Sequence, residues 1–280
     1  MWNDSLKIGV DKIDEQHEML FSKVDQLIND VLATGEYHRD KIISAVLFLK
    51  DYAVTHFADE EEYQLSINDV NYSKHKKLHE NFIATVLKHE KKMVASNFAH
   101  DDVSDFTSTL LAWLIYHVSD ADQKIGKTAE EAEATDNHAD MICECFCNVI
   151  SNISDIDKDS IIKVNKHNET FDNSVTVKYL FNHIINGYVL FDFSVSFING
   201  LMHTLTQIPP DENGIGVFEK TFLLQISTTI IENVYQCLNA GEYKLREADV
   251  FITKKDETQP NEIFSFDTGI GIIEVSFVNM

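Results

Sequence analysis

Four long stretches of helical apolar periodicity fill the first 125 residues, and no proline interrupts them before Pro209. That limits this part of the chain to helices packed on helices. The stretches are 11–33, 40–64, 71–95 and 103–124. In the first, Ile13, Leu20, Val24, Leu27, Ile28 and Val31 share one broad stripe, the three-to-four-residue repeat of a helix with one buried face. Gly35 follows as a stop signal. The second carries Ile42, Val46, Leu49 and Ala53; the third Phe82, Val86 and Met93; the fourth Phe106, Leu110, Trp113 and Leu114. The joins are short, which favours antiparallel neighbours in an up-down-up-down four-helix bundle over residues 1–125.

After that the pattern changes. Residues 126–137 are small, polar and acidic, and read as a linker. Met141 to Ile153 reads as one apolar helix. β-Branched and aromatic runs at 174–180 and 188–193 read as strands. Helical patterns return at 197–206 and 218–239, and runs at 248–252 and 270–277 close the chain as further strands. The expected architecture is multidomain: an all-α bundle followed by a mixed α/β domain over 138–280.

A chain of 280 residues is long enough for two such cores. Its formal net charge of −23 argues against nucleic acid or an anionic membrane surface as partner, since both need a basic face. The opening Met1-Trp2-Asn3-Asp4 has neither basic residues nor an apolar run, so no signal peptide is expected. No apolar stretch has spanning length, so no membrane insertion is expected either. The four cysteines all lie beyond residue 140 and form no disulfide framework, which fits a reducing, cytoplasmic setting.

Five histidines and two carboxylates are spread over the four helical stretches: His17; His56 with Glu60; His75 with His79; His117 with Asp122. Residues four apart lie on one helix face, one turn apart, so His56/Glu60 and His75/His79 each offer two donors to one inward point. His17 by itself is as easily a core histidine with one satisfied hydrogen bond. Four helices each turning imidazole or carboxylate inward are harder to explain by packing, because burying such groups unpaired is costly. A metal site supplies the pairing, and this donor mixture selects a first-row transition metal. The fourth cluster leaves a choice open. At about 100° per residue, Asp120 lies about 60° from His117 and Asp122 about 140°. Asp122 reaches the site only if the helix widens locally or ends, as at a π-type bulge.

These segments resemble bacterial hemerythrins. Trp2 and Gly9-Val10-Asp11-Lys12-Ile13-Asp14-Glu15-Gln16-His17 are similar to that family's opening. His56-Phe57-Ala58-Asp59-Glu60-Glu61 fits its H-F-x-x-E-E segment, and His75-Lys76-Lys77-Leu78-His79-Glu80-Asn81-Phe82 its H-x-x-x-H-x-x-F segment. His117-Val118-Ser119-Asp120-Ala121-Asp122 fits its H-x-x-x-x-D. The resemblance implies a non-haem pair of irons and favours Asp122 over Asp120. It implies that His75, His79 and His117 hold one iron, and that His17 and His56 hold the other, which keeps an open position for O2. Glu60 and Asp122 would bridge, beside an oxo or hydroxo group. The shell around such a centre should be apolar, with Phe57, Trp113 and Leu114 as candidates for the lining of an O2 pocket. His38, His89, His100, His138, His167, His183 and His203 lack ligand-spaced partners and are expected mostly at the surface or in loops.

Signals in the second half are weaker. Cys143 and Cys147 share a helix face from which Cys145 points away, without the paired C-x-x-C spacing of a zinc site, so core packing is expected. Asp267-Thr268-Gly269-Ile270-Gly271-Ile272 is similar to an adenine-binding box, but only eight residues follow it, and ordinary strand glycines explain it better. The element order over 138–280 resembles the CheC/CheX chemotaxis phosphatases. That family's catalytic E-x-x-N is missing, since Glu232 is followed directly by Asn233, so no enzymatic activity is expected of this half. The expected function is reversible O2 binding at the di-iron site, read out as oxygen sensing through the second domain, with a signalling or chemotaxis protein as partner. An oxygen carrier or store, or a di-iron oxidase, peroxidase or NO-reducing enzyme, remains open on the same ligands.

Overall fold

The computed structural model describes residues 2–32, 39–127, 138–154, 162–164, 174–181, 187–209, 215–237, 245–253 and 262–279. The chain forms two compact units, Met1–Glu133 and Ala134–Met280. Most of the expected linker, from residue 128 to 137, lies outside the described residues.

The first unit is helical. A 3-10 turn, Asp4–Leu6, leads into α1 (Asp11–Leu32), α2 (Arg39–Ser66), α3 (Tyr72–Ala95) and α4 (His100–Tyr116). Asp14 fixes the entry into α1: its carboxylate accepts from the backbone N–H groups of Ile8 (2.8 Å) and Gly9 (3.1 Å). Gly9 has φ +83°, a conformation costly for any residue with a Cβ. Every member of the α1 stripe, Ile13, Leu20, Val24, Leu27, Ile28 and Val31, is buried, as are Ile42, Val46, Leu49 and Ala53 of α2. Phe82, Val86 and Met93 of α3 meet them with Phe106, Leu110 and Leu114 of α4. Neighbouring helices α1–α2, α2–α3, α3–α4 and α4–α1 touch, which closes the bundle.

The last helix does not end as an α-helix. Beyond Tyr116 the chain widens into a π turn, His117–Ala121, in which the N–H of Asp122 donates to the carbonyl of His117 five residues back. A 3-10 turn, Asp122–Lys124, follows.

Among its described residues, the second unit has a six-stranded sheet and three helices. Its elements are α5 (His138–Ser154), β1 (Ile162–Val164), β2 (Ser174–Phe181), β3 (Gly187–Ser194), α6 (Val195–Thr206), α7 (Val217–Cys237), β4 (Leu245–Thr253), β5 (Glu262–Asp267) and β6 (Ile272–Asn279). The strand order is β1-β5-β6-β3-β2-β4, antiparallel throughout. Alternation along the strands sends Val175, Val177, Tyr179, Phe191, Phe193, Ile273 and Val275 to one buried face. Phe146 of α5 lies 5.8 Å from both Phe191 and Phe193. The Tyr179 hydroxyl reaches α7, where it meets Leu224 O (3.0 Å), Ser227 Oγ (2.8 Å) and Thr228 Oγ1 (3.0 Å).

Ser194 ends β3 and begins α6, and its hydroxyl accepts from the N–H of Phe197 (3.2 Å) and of Ile272 (3.0 Å). The Gly269 and Gly271 region is the β5–β6 hairpin loop, with Thr268 N–H bonded to Gly271 O at 3.0 Å. There is no room for a Cβ at Gly271, because it would collide with the backbone of Phe197. On α5 the buried cysteine is Cys145, while Cys147 is half-buried; the side chain of Cys143 lies outside the described residues. α5 turns Ile142, Cys145, Phe146, Val149 and Ile150 inward.

Candidate metal centre

The fold brings all seven residues singled out from the sequence to one place inside the bundle. His17, His56, Glu60, His75, His79, His117 and Asp122 are each at most 4% exposed. His17 Nε2 is 3.2 Å from Asp122 Oδ2. His56 Nε2 is 3.4 Å from Glu60 Oε2, and His75 Nε2 is 2.9 Å from Glu60 Oε1. His117 Nε2 is 3.1 Å from Asp122 Oδ1 and 3.0 Å from His79 Nε2. The donors form two groups that share a carboxylate: Glu60, His75, His79 and His117 in one, and His17, His56 and Glu60 in the other, each within 4.8 Å of one another. Asp122 spans both groups, through His17 on one side and His75 and His117 on the other.

These contacts are close without being satisfied. Both ring nitrogens of His17, both oxygens of Glu60 and of Asp122, and His75 Nε2 are buried and have no hydrogen-bond partner. Buried polar atoms are nearly always paired, because an orphan loses its water with nothing in return. Six of them, His17 Nε2, His75 Nε2 and the four carboxylate oxygens, gather at one place, and this donor set fits a pair of metal ions.

The charges point the same way. Burial pushes His17 down to about 4, and burial together with the charge of His17 pushes His56 down to about 3. Burial also holds His117 well below the usual imidazole range. Neutral imidazole is the form that ligates a metal. Burial alone would raise Glu60, but the close approach of His117, His75 and His79 outweighs it and holds this carboxyl well below its ordinary value. Burial, then the negative charge of Glu60, pushes Asp122 well above.

Two outer partners hold ligand rings, and spacing along the chain does not reveal either. Glu61 Oε1 faces His79 Nδ1 at 3.2 Å and accepts from Lys76 Nζ through its other oxygen at 2.6 Å. His56 Nδ1 meets Gln16 Oε1 at 3.1 Å; Gln16 Nε2 donates to Asp59 Oδ2 at 2.7 Å, and Lys12 lies 2.9 Å from Asp59. Such partners fix ring orientation and raise ligand basicity. The only sequence signal was adjacency: Glu61 follows Glu60, and Gln16 precedes His17.

Aromatic rings wall the site. Phe57 stacks on His79 at 3.9 Å, Trp113 stacks on His117 at 4.2 Å, and Phe82 stacks on Trp113 at 3.8 Å. Trp2 leans on His17 with ring centres 6.1 Å apart. Phe57, Trp113 and Leu114 also line a cavity of about 70 Å³ whose walls are apolar apart from Lys50. Of the other histidines, His203 is exposed on α6, whereas His89 packs against Phe106, 5.8 Å between rings, rather than lying free at the surface. No described helix is long and apolar enough to cross a membrane.

A four-helix bundle enclosing five imidazoles and two carboxylates defines a histidine-rich, two-cation helical protein. The hemerythrin HHE cation binding domain matches residues 8–129. Bacteriohemerythrin from Clostridium acetobutylicum is 30% identical over 128 residues, 44% of this chain and 96% of the relative. Bacteriohemerythrin from Stenotrophomonas maltophilia is 32% identical over 124 residues, 44% of this chain and 76% of the relative. The chain belongs to the hemerythrin family, which binds a non-haem di-iron centre and, through it, O2. Among solved structures, the chemotaxis protein CheX from Vibrio vulnificus covers 52% of this chain and 99% of its own, at 14% identity and a TM-score of 0.40.

Proposed function

We propose that His75, His79 and His117 hold one iron, that His17 and His56 hold the other, and that Glu60 and Asp122 bridge them. The observation that carries this reading is the set of buried, partnerless donor atoms converging inside the bundle. Bound iron supplies the electrons that hold O2 reversibly. This chain supplies the rest. The second group has one imidazole fewer than the first, which leaves room for a diatomic ligand. Glu61 and the Gln16–Asp59 pair orient His79 and His56. Trp2 beside His17 (6.1 Å) and Phe57 beside His56 (5.7 Å) keep water from the half with the open position, which favours reversible binding over loss of an oxidised, hydrated product.

Residues 1–125 are in this reading the O2-binding domain, 126–137 the linker, and 138–280 a domain that reports the bound state to a signalling protein. A carrier needs only the bundle; the second unit has its own core, around Phe146, Phe191, Phe193 and Phe197, which supports sensing. Reporting requires that O2 change the free energy of the second domain or of its complex. Iron per chain and the visible spectrum of the reduced protein before and after O2 test the site. About two irons and a charge-transfer band that disappears under vacuum are expected; zinc, or less than one iron, overturns it. Hydrogen exchange over 138–280 with and without O2 tests the sensor, and unchanged exchange and unchanged partner affinity overturn that part alone.

A further inference from the structure

Asp120 is the carboxylate that ideal helix geometry places beside His117, and it is buried, with its Oδ2 bonded to two groups outside the cluster. Its Oδ2 accepts from the Tyr116 hydroxyl at 3.0 Å and from Lys124 Nζ at 2.6 Å. Tyr116 is 1% exposed and Asp120 6%. The three residues are spaced by four, and together they straddle the π turn His117–Ala121 from the α-helical residue before it to the 3-10 residue after it. Gln123 adds a second tie from the same side: its amide donates to the carbonyl of Val118 inside the π turn at 3.2 Å, and to Leu6 O at 3.1 Å.

A π turn is a rare, locally unfavourable departure from the α-helix and persists where the surroundings hold it. Here its effect is concrete. Pairing residues five apart brings Asp122 onto the His117 face, 3.1 Å from that imidazole, where an unbroken α-helix turns it away. A buried carboxylate is costly unless bonded, and Asp120 is bonded to both ends of the distortion.

We propose that Asp120 is a positioning residue: by clamping Tyr116 and Lys124 across the π turn, it sets where the Asp122 carboxylate stands between the two groups of histidines. This rests on the proposed role of Asp122 as a bridge. Asp120 acts on Asp122 in two ways, through the clamp and through its negative charge; Asp120→Ala and Asp120→Asn both remove the charge, while Asn keeps the Tyr116 arm, so the difference between them reads the geometry. Loss of the clamp weakens the occupancy that needs both bridges, the second iron, more than the first.

The test is stepwise iron uptake by the full-length reduced protein under anaerobic conditions, read as affinity for each equivalent and as the visible spectrum on O2 addition. Asp120→Ala is expected to keep its far-UV circular dichroism, bind the second iron on the order of 10-fold more weakly, and shift the charge-transfer band. Asp120→Asn, which still accepts from Tyr116 but lacks the charge facing Lys124, is expected to fall between it and wild type. If Asp120→Ala does not fold, Tyr116→Phe and Lys124→Met each remove one arm of the clamp and are expected to weaken the second iron with the first unchanged. Two irons bound with wild-type affinity and an unshifted band in Asp120→Ala, or in both single-arm variants, overturn the proposal. A wild-type chain that takes up no second iron overturns the di-iron reading and this proposal with it, so the two failures are told apart.

Discussion

Histidine position decides ligand potential here more than histidine count. His75 and His89 lie on the same helix, α3, but they meet different surroundings. His75 Nε2 faces Glu60 at 2.9 Å and Asp122 at 3.4 Å, whereas His89 packs beside Phe106 with Asp105 at 3.7 Å. His75→Ala is therefore expected to lose at least one iron per chain, and His89→Ala to keep both, in metal analysis of the purified variants. The paired donors were legible because spacing by four is a property of any helix. The outer partners were not: whether Glu61 turns to His79 and Gln16 to His56 depends on which helices neighbour one another. Asp122 shows the limit of regular geometry, since an ideal helix favours its neighbour Asp120, and only a family pattern or the π turn itself selects the right carboxylate.

At the level of elements, the four bundle helices were readable because each carries its own stripe. The α1 stripe is buried residue for residue as its periodicity implied. The second unit was read less fully. Its strands could be recognised one by one from β-branched runs, but the order β1-β5-β6-β3-β2-β4 joins segments far apart in the chain, and local pattern carries no record of that pairing. The role of Gly271 was likewise invisible until the hairpin was placed against α6. Gly271→Ala puts a methyl group into the Phe197 backbone, and rigid main chain cannot yield as a side-chain tip can. It is expected to destabilise the second unit by about 1–3 kcal/mol, measured by urea denaturation followed at a probe in residues 138–280. A midpoint unchanged from wild type would show that the hairpin and α6 separate more easily than their packing suggests.

For the whole molecule, the buried imidazoles tie metal-free stability to pH. Three of them, His17, His56 and His117, have folded values below the ordinary imidazole value of 6.5. Below 6.5 the unfolded chain takes up protons at these positions that the folded chain refuses, so stability is complete above 6.5 and is lost as pH falls toward about 4. Asp122, raised above its ordinary 3.8, and His75, raised above 6.5 because Glu60 and Asp122 outweigh its burial, oppose this trend, two groups against three. The metal-free protein is expected to melt progressively lower from pH 7 to pH 5, and the iron-loaded protein to resist that decline, because bound metal stabilises the folded state alone. Thermal melts of both forms across that range check it; equal pH slopes would mean that the cluster does not govern acid sensitivity. One more property follows from the ring contacts. The protein has two tryptophans, and each stands on a different group of donors: Trp2 on His17, Trp113 on His117. Their emission is a built-in optical probe of the two half-sites. With Trp2→Phe and Trp113→Phe separating the signals, the order in which the halves fill can be followed by light alone, without a label.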